Sequence, residues 1–307
     1  MLRWRLVSAS IIVAISVSLV AADYWLAEST ERAGLVLVPL ALIVTWIASG
    51  EVRRLFENKG HQPRRWVTEF GATLVMAISA VPVLWAQYPE NCPVGRIGWV
   101  ELGLLAALAW YAVVEMWRYR EPEKVIERLA IQSFCALYVG GLMGCLVTLR
   151  VGPGNAWGTV ALVHTIAIVK LADTGAYGFG KTLGKRKLTP VLSPGKTVEG
   201  AIGALVVGGL AGWLVTELLT WLVFGQVGLV PAWKGLVLGL VLSIVGMLGD
   251  LLESLLKRDS GIKDSSSWMP GLGGILDVVD SLLAVTPVAA LAWTAWMIES
   301  VPAVTAE

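Results

Sequence analysis

Apolar residues run along most of this chain in blocks long enough to cross a bilayer, separated by short polar stretches. Nine blocks can be read, at about 6–25, 33–50, 67–86, 99–117, 129–149, 156–173, 200–223, 234–252 and 281–298. A helix needs about 20 apolar residues to span a hydrocarbon core of about 30 Å. The pattern therefore predicts an all-α polytopic membrane protein of about nine transmembrane helices. The seventh and eighth blocks are rich in glycine, which lets helix backbones approach closely in lipid and reads as helix packing.

Composition agrees with this. Of 307 residues, 56% are hydrophobic and 15% charged, well below the roughly 25% charged residues of soluble domains. No polar stretch is long enough for a separate soluble domain, so any chemistry must sit on the bundle itself. Residues 1–150 form an N-terminal membrane region of about five spans. Residues 151–307 form a C-terminal catalytic region with loops at 172–199 and 253–276. The net charge of +1 argues neither for nor against nucleic acid, and no nucleic-acid partner is expected. Cys135 and Cys145 lie inside one apolar block, and Cys92 has no obvious mate, so no disulfide framework follows.

Charge placement fixes an expected orientation. Nineteen of the 24 Lys and Arg fall at the N-terminus or after even-numbered blocks, within 53–65, 118–128, 181–196 and 257–263. Positive residues favour the cytoplasmic side. The N-terminus is expected inside and the tail ESVPAVTAE outside. The first block, with Arg3, Arg5 and a Val20-Ala21-Ala22 ending, also has the outline of a signal peptide. Its apolar stretch is long for one, and it reads as a span.

Two inside loops carry candidate chemistry. In the first, residues 170–200, Gly195-Lys196-Thr197 resembles a phosphate-cradling loop, but Pro190 stands where that motif needs glycine and no strand precedes it. A basic, glycine-rich loop able to hold an anion remains, as does an ordinary loop meeting lipid head groups. The second is GDLLESLLKRDSGIKD, residues 249–264, followed by PGLGGILDVVD, residues 270–280. Asp250, Ser254 and Lys257 or Arg258 share one face if the eighth helix continues past the bilayer. Asp277 and Asp280 lie three apart at the start of the ninth. Two carboxylates that close favour a cation between them. Asp259 and Lys263 read equally well as solvated loop charges. Asp250, Asp277 and Asp280 abut apolar helix, where an ionisable residue is a functional candidate. With only two scattered histidines, His61 and His164, a metal would take oxygen ligands, which favours Mg²⁺. Paired acids, several Lys and Arg and no histidine suit phosphoryl chemistry, where positioning and charge neutralisation dominate.

These residues resemble a known family. Ser254-Leu-Leu-Lys257-Arg258, Lys263-Asp264, Pro270-Gly271, Gly273-Gly274 and Asp277-x-x-Asp280 are similar to the signature of phosphatidate cytidylyltransferases, or CDP-diacylglycerol synthases. Asp173-Thr-Gly-Ala-Tyr177 and Ser193-Pro-Gly-Lys-Thr-x-Glu199-Gly resemble that family's upstream blocks. The motifs occupy about the C-terminal 45% of the chain. The resemblance implies a membrane enzyme dependent on Mg²⁺, with one cation or two, that joins CTP and phosphatidate from the inner leaflet into CDP-diacylglycerol and pyrophosphate. It implies a cytoplasmic-facing site in the inner membrane and a homodimer. Carried over, Asp250, Asp277 and Asp280 hold the metal, and Lys257, Arg258 and Lys263 bind phosphates. Asp173, Ser193, Lys196, Glu199, Ser254 and Asp264 are further substrate contacts.

Two positions depart from the family pattern: Leu272 replaces its usual histidine and Val278 its usual arginine. Both lost groups could touch phosphate or support the metal, so rate or substrate preference can differ. Two rival readings stand beside this one. One is a cytidylyltransferase acting on another lipid phosphate. The other is an ion-coupled transporter, against which the missing internal repeat and the membrane-edge position of the charges both count.

Overall fold

The computed structural model describes residues 2–89, 91–122, 124–266 and 273–298, with side chains from residue 10 onward. Its elements run α1 Leu2–Thr30, α2 Leu37–Asn58, α3 Arg65–Ser79, α4 Gly98–Arg118, α5 Val125–Cys135, α6 Leu142–Val151, α7 Asn155–Leu183, β1 Lys187–Thr189, β2 Ser193–Thr197, α8 Val198–Phe224, α9 Ala232–Asp259 and α10 Ile275–Ala292. A π-helical turn at Ala136–Gly141 joins α5 to α6, and another at Trp293–Met297 follows α10. The tail 299–307 and the segment 267–272, which includes Pro270, Gly271 and Leu272, lie outside the described residues.

Every apolar block falls largely on a helix, and the protein is an all-α polytopic membrane protein apart, among the described residues, from one antiparallel hairpin, β1 with β2. Among the described residues, seven helical segments are long and apolar enough to cross a membrane: Ser10–Thr30, Gly98–Arg118, Val125–Val151, Asn155–Leu183, Val198–Phe224, Ala232–Asp259 and Ile275–Met297. The blocks at 33–50 and 67–86 are the two that do not qualify. The last turns of α2 carry Glu51, Arg53, Arg54 and Glu57. Helix α3 has 15 residues, about 22 Å at 1.5 Å per residue, which is short of the hydrocarbon core. Helix α7 outruns its apolar block by more than two turns, so Asp173 stands on a helix rather than in a loop.

The chain divides into two compact units, Met1–Val151 with Leu256–Val279, and Gly152–Leu255 with Asp280–Glu307. The first is built round Val67, Val75, Ala107, Tyr111, Val114 and Ala136, with Leu104, Trp110 and Leu129 against them. Gly71 leaves room for the Tyr111 ring, whose hydroxyl donates to the Thr68 carbonyl at 3.1 Å. Buried charges are paired within this unit. The Arg53 Nε donates to Glu69 Oε1 at 3.1 Å, joining α2 to α3. Glu115 on α4 accepts from Arg64 at 3.0 Å and from Arg128 at 2.9 and 3.1 Å. Asp23 on α1 accepts from Arg150 at the end of α6 and from backbone N–H groups of Gly34 and Val36 leading into α2. An isolated ion in an apolar surrounding is costly, and these pairings offset that cost.

In the second unit, glycines set helix spacing as their frequency in the sequence suggests. A Cβ on Gly212 of α8 would lie 2.8 Å from the Gly239 Cα of α9, and one on Gly235 would lie 2.7 Å from the Gly212 carbonyl oxygen. Gly175 of α7 meets Val207 and the Gly203 carbonyl of α8 in the same way. Such contacts replace the hydrophobic driving force that lipid removes.

Candidate active site

In the second unit the hairpin and α9 converge on an acidic group. Thr197 caps α8, its hydroxyl accepting from the Gly200 N–H at 3.1 Å, and this starts the helix directly after β2. The strand just before the cap carries Lys196, whose ammonium pairs with Asp250 at 2.7 Å. One turn along α9 from Asp250 stands Glu253, and α10 brings Asp280. Carboxylate oxygens of Asp250, Glu253 and Asp280 all lie within 4.8 Å of one another, and Glu253 and Asp280 are buried. Asp280 Oδ1 also accepts from the N–H and hydroxyl of Ser281 at 2.6 and 3.0 Å. Gly249 permits this closeness, since a Cβ there would run into Ala284 and lie 3.2 Å from the Asp280 carbonyl oxygen.

Three carboxylates this close repel unless positive charge lies among them. The donor set is all oxygen and partly buried, which fits a hard divalent cation such as Mg²⁺. Lys196 already supplies one positive charge, on Asp250. The remaining positions expected in this unit are placed as follows. Asp173 is half exposed on α7, 3.8 Å from Lys170. Ser193 opens β2 opposite Thr189. Ser254 is half-buried on α9, four residues after Asp250. The Glu199 carboxylate accepts from the backbone N–H groups of Lys185 and Arg186, at 3.0 and 3.2 Å, and so fastens the turn that leads into β1.

The first unit holds the other half of the expected set. Lys257 and Arg258 form the last turn of α9. Lys257 Nζ lies 2.6 Å from Asp277 Oδ1. The second oxygen of Asp277 accepts from the Ser265 N–H at 2.9 Å, the Ser265 hydroxyl at 2.6 Å and the Gly274 N–H at 2.7 Å. Gly274 directly precedes α10, so Asp277, at its third position, reaches back to the capping residue as an acid does in a capping box. Gly273 has φ +86°, a left-handed conformation that suits glycine, and a Cβ on it would strike Asp277. Arg258, Lys263 and Asp264 are exposed.

Thus Asp277, expected beside Asp280 as a metal ligand, has its oxygens engaged by Lys257, Ser265 and Gly274, and Glu253 stands with Asp250 and Asp280 instead. The sequence contained the signal for Glu253: it lies three residues after Asp250, on the same helical face. Ser265 carries no comparable mark, because its role depends on how the loop folds back. Val278 is half-buried in the first turn of α10, and Leu272 lies outside the described residues.

Comparison with known proteins accords with this picture. The family model described as "Cytidylyltransferase family" matches residues 4–296. A phosphatidate cytidylyltransferase of Haemophilus influenzae is 32% identical over 204 residues, 66% of this chain and 68% of that protein. Those of Staphylococcus saprophyticus and Staphylococcus aureus are 44% and 47% identical over 126 residues. That is 41% of this chain, and the match spans about half the length of each staphylococcal protein, 46%.

Proposed function

The chain belongs to the cytidylyltransferase family, and from that premise we propose that it is a phosphatidate cytidylyltransferase: CTP and phosphatidate give CDP-diacylglycerol and pyrophosphate. The observation that carries this reading is the grouping of Asp250, Glu253 and Asp280 beside Lys196, in a chain that the cytidylyltransferase family model matches over residues 4–296. Mg²⁺ bound by those three carboxylates would neutralise the phosphates of CTP and act as a Lewis acid.

The residues of the chain do the rest by position and charge. A phosphate-monoester oxygen of the lipid attacks the α-phosphorus of CTP, and the bond to the bridging oxygen of the leaving pyrophosphate breaks. The nucleophile is already anionic, which accords with a site lacking histidine or cysteine as a base. Lys196 can exchange its partner from Asp250 to a phosphate, since ammonium is a mobile point charge on a flexible stem. Lys257, Arg258 and Lys263 are assigned to phosphates. Held on Asp277, the Lys257 ammonium has lost much of its rotamer freedom before substrate arrives, which lowers the cost of binding. Asp173, Ser193, Ser254 and Asp264 are assigned as substrate contacts, and Glu199 as the residue that fixes the turn before the hairpin.

The distribution of Lys and Arg supports about nine spans, an inside N-terminus, an outside C-terminus and a site facing the cytoplasm, in the cytoplasmic membrane. Phosphatidate then enters from the inner leaflet. A homodimer completes the assembly assigned by resemblance.

Purified protein incubated with labelled CTP, Mg²⁺ and a panel of lipid phosphates tests this. Phosphatidate is expected to be converted faster than a polyprenyl phosphate or an ether-lipid phosphate, and a chelator is expected to stop conversion until Mg²⁺ is restored. Faster conversion of another lipid phosphate would reassign the substrate, and full activity in chelator would remove the metal.

A further inference from the structure

The motifs that resemble the family signature lie in the C-terminal half, yet a side chain from the N-terminal helices reaches one of them within the first unit. Glu51 stands near the end of α2 and is 2% exposed. Its carboxylate accepts from the Leu276 N–H at 2.8 Å and the Ile275 N–H at 3.2 Å, the first two residues of α10, which lie 225 and 224 positions further along the chain. It also lies 3.1 Å from the Ser265 hydroxyl. The first N–H groups of a helix have no partner in the helix itself, and the helix dipole makes that end attractive to an anion. Gly274, before α10, has no α-side chain to spare: a Cβ on it would collide with both Ser265 Oγ and the Glu51 carboxylate.

We infer that Glu51 is a positioning residue for the reaction, holding the start of α10 and, through Ser265, the Asp277–Lys257 pair. The inference rests on the proposed transferase reading for its catalytic consequence. Glu51 Oε2 and Asp277 Oδ2 both lie within hydrogen-bond reach of the Ser265 hydroxyl. Asp277 takes the Gly274 N–H, Glu51 takes the next two, and the single Ser265 hydroxyl proton is shared unequally, nearer Asp277 at 2.6 Å than Glu51 at 3.1 Å. All the N-terminal amides from Gly274 to Leu276 are thereby occupied by acids, so the first turn of α10 is fixed at both its backbone and its loop. Lys257 pairs with Asp277 at 2.6 Å, and that pair is linked, at one remove, to Glu51. Nearby on α2, Arg53 pairs instead with Glu57 and Glu69.

The test uses the full chain in detergent micelles. Glu51→Gln keeps the volume and one acceptor oxygen but turns an NH₂ toward the donors. Hydrogen exchange at Ile275 and Leu276, which needs no turnover, is expected to speed at least tenfold in this variant while the thermal midpoint changes little. In the CTP assay the variant is expected to lose about tenfold in kcat with KM for CTP within twofold, in the range that loss of a supporting hydrogen bond costs at a site. In a Lys257→Met background the same change is expected to have little further effect on kcat. Glu51→Asp, a methylene too short, should not restore the wild-type value. Unchanged exchange at Leu276 would overturn the capping role whatever the activity. Faster exchange with unchanged kcat, or a kcat loss that adds fully to that of Lys257→Met, would overturn the positioning role. Absence of CDP-lipid formation by the wild-type protein would instead count against the transferase reading, leaving the exchange result to judge the cap.

Discussion

Asp280→Asn is expected to reduce CDP-lipid formation by a hundredfold or more while the protein still purifies as a folded species. Changing groups that merely support a metal's ligands costs about 10- to 100-fold, and Asp280 is proposed as a ligand itself, in a group with Asp250 and Glu253. Glu253→Gln should behave likewise, although nothing in the family signature singles it out. Both variants should require more Mg²⁺ for half-maximal rate. Asp277→Asn should differ in kind. It removes the partner of Lys257 and weakens the bonds from Ser265 and Gly274, so it should lower kcat without raising the Mg²⁺ requirement. A Mg²⁺ titration of the three variants checks this. If Asp277→Asn alone shifted the Mg²⁺ dependence, the metal would belong with Asp277 and not with Glu253.

Asp23→Ala is expected to be the most destabilising single change among the paired charges. Both members of the Asp23–Arg150 pair are almost fully buried, at 1% and 2% exposure, and Asp23 also accepts from Gly34 and Val36. Removing it leaves a guanidinium without its carboxylate and backbone amides without their acceptor. Breaking a buried pair this way costs about 3–5 kcal/mol. Thermal unfolding in detergent should show a large drop in midpoint, with Asp23→Asn, which keeps one acceptor oxygen, falling between. An unchanged midpoint in Asp23→Ala would mean that the pair does not hold α1 to α2 and α6.

The helices were legible in the sequence because each is a long apolar block, and lipid admits few other solutions for a buried backbone. What hydropathy misjudged was length. Helix α3 stops at Ser79, and α7 runs on to Leu183 through polar residues, since a helix can leave the membrane and remain helical. The β1–β2 hairpin leaves no strand signal in the sequence, being only three and five residues long and closed by Glu199 and the Thr197 cap rather than by any apolar alternation. In the candidate site, Asp250 and Asp280 could be proposed from charge at the membrane edge. The division of labour between Asp277 and Glu253 could not, because it depends on whether a carboxylate turns toward its own helix start or toward a neighbouring helix. Glu51 was least legible of all: its partners lie more than 200 residues away, and in sequence it is one more charge at the end of α2.

The most direct measurement follows which phosphorus of CTP enters the lipid. Purified protein is supplied with Mg²⁺, phosphatidate and CTP labelled at either the α- or the γ-phosphorus. Label from the α position should appear in the organic phase as CDP-diacylglycerol, and label from the γ position should stay in the aqueous phase as pyrophosphate, in equal amounts. Label from the γ position in the lipid, or no transfer from either, would contradict the account.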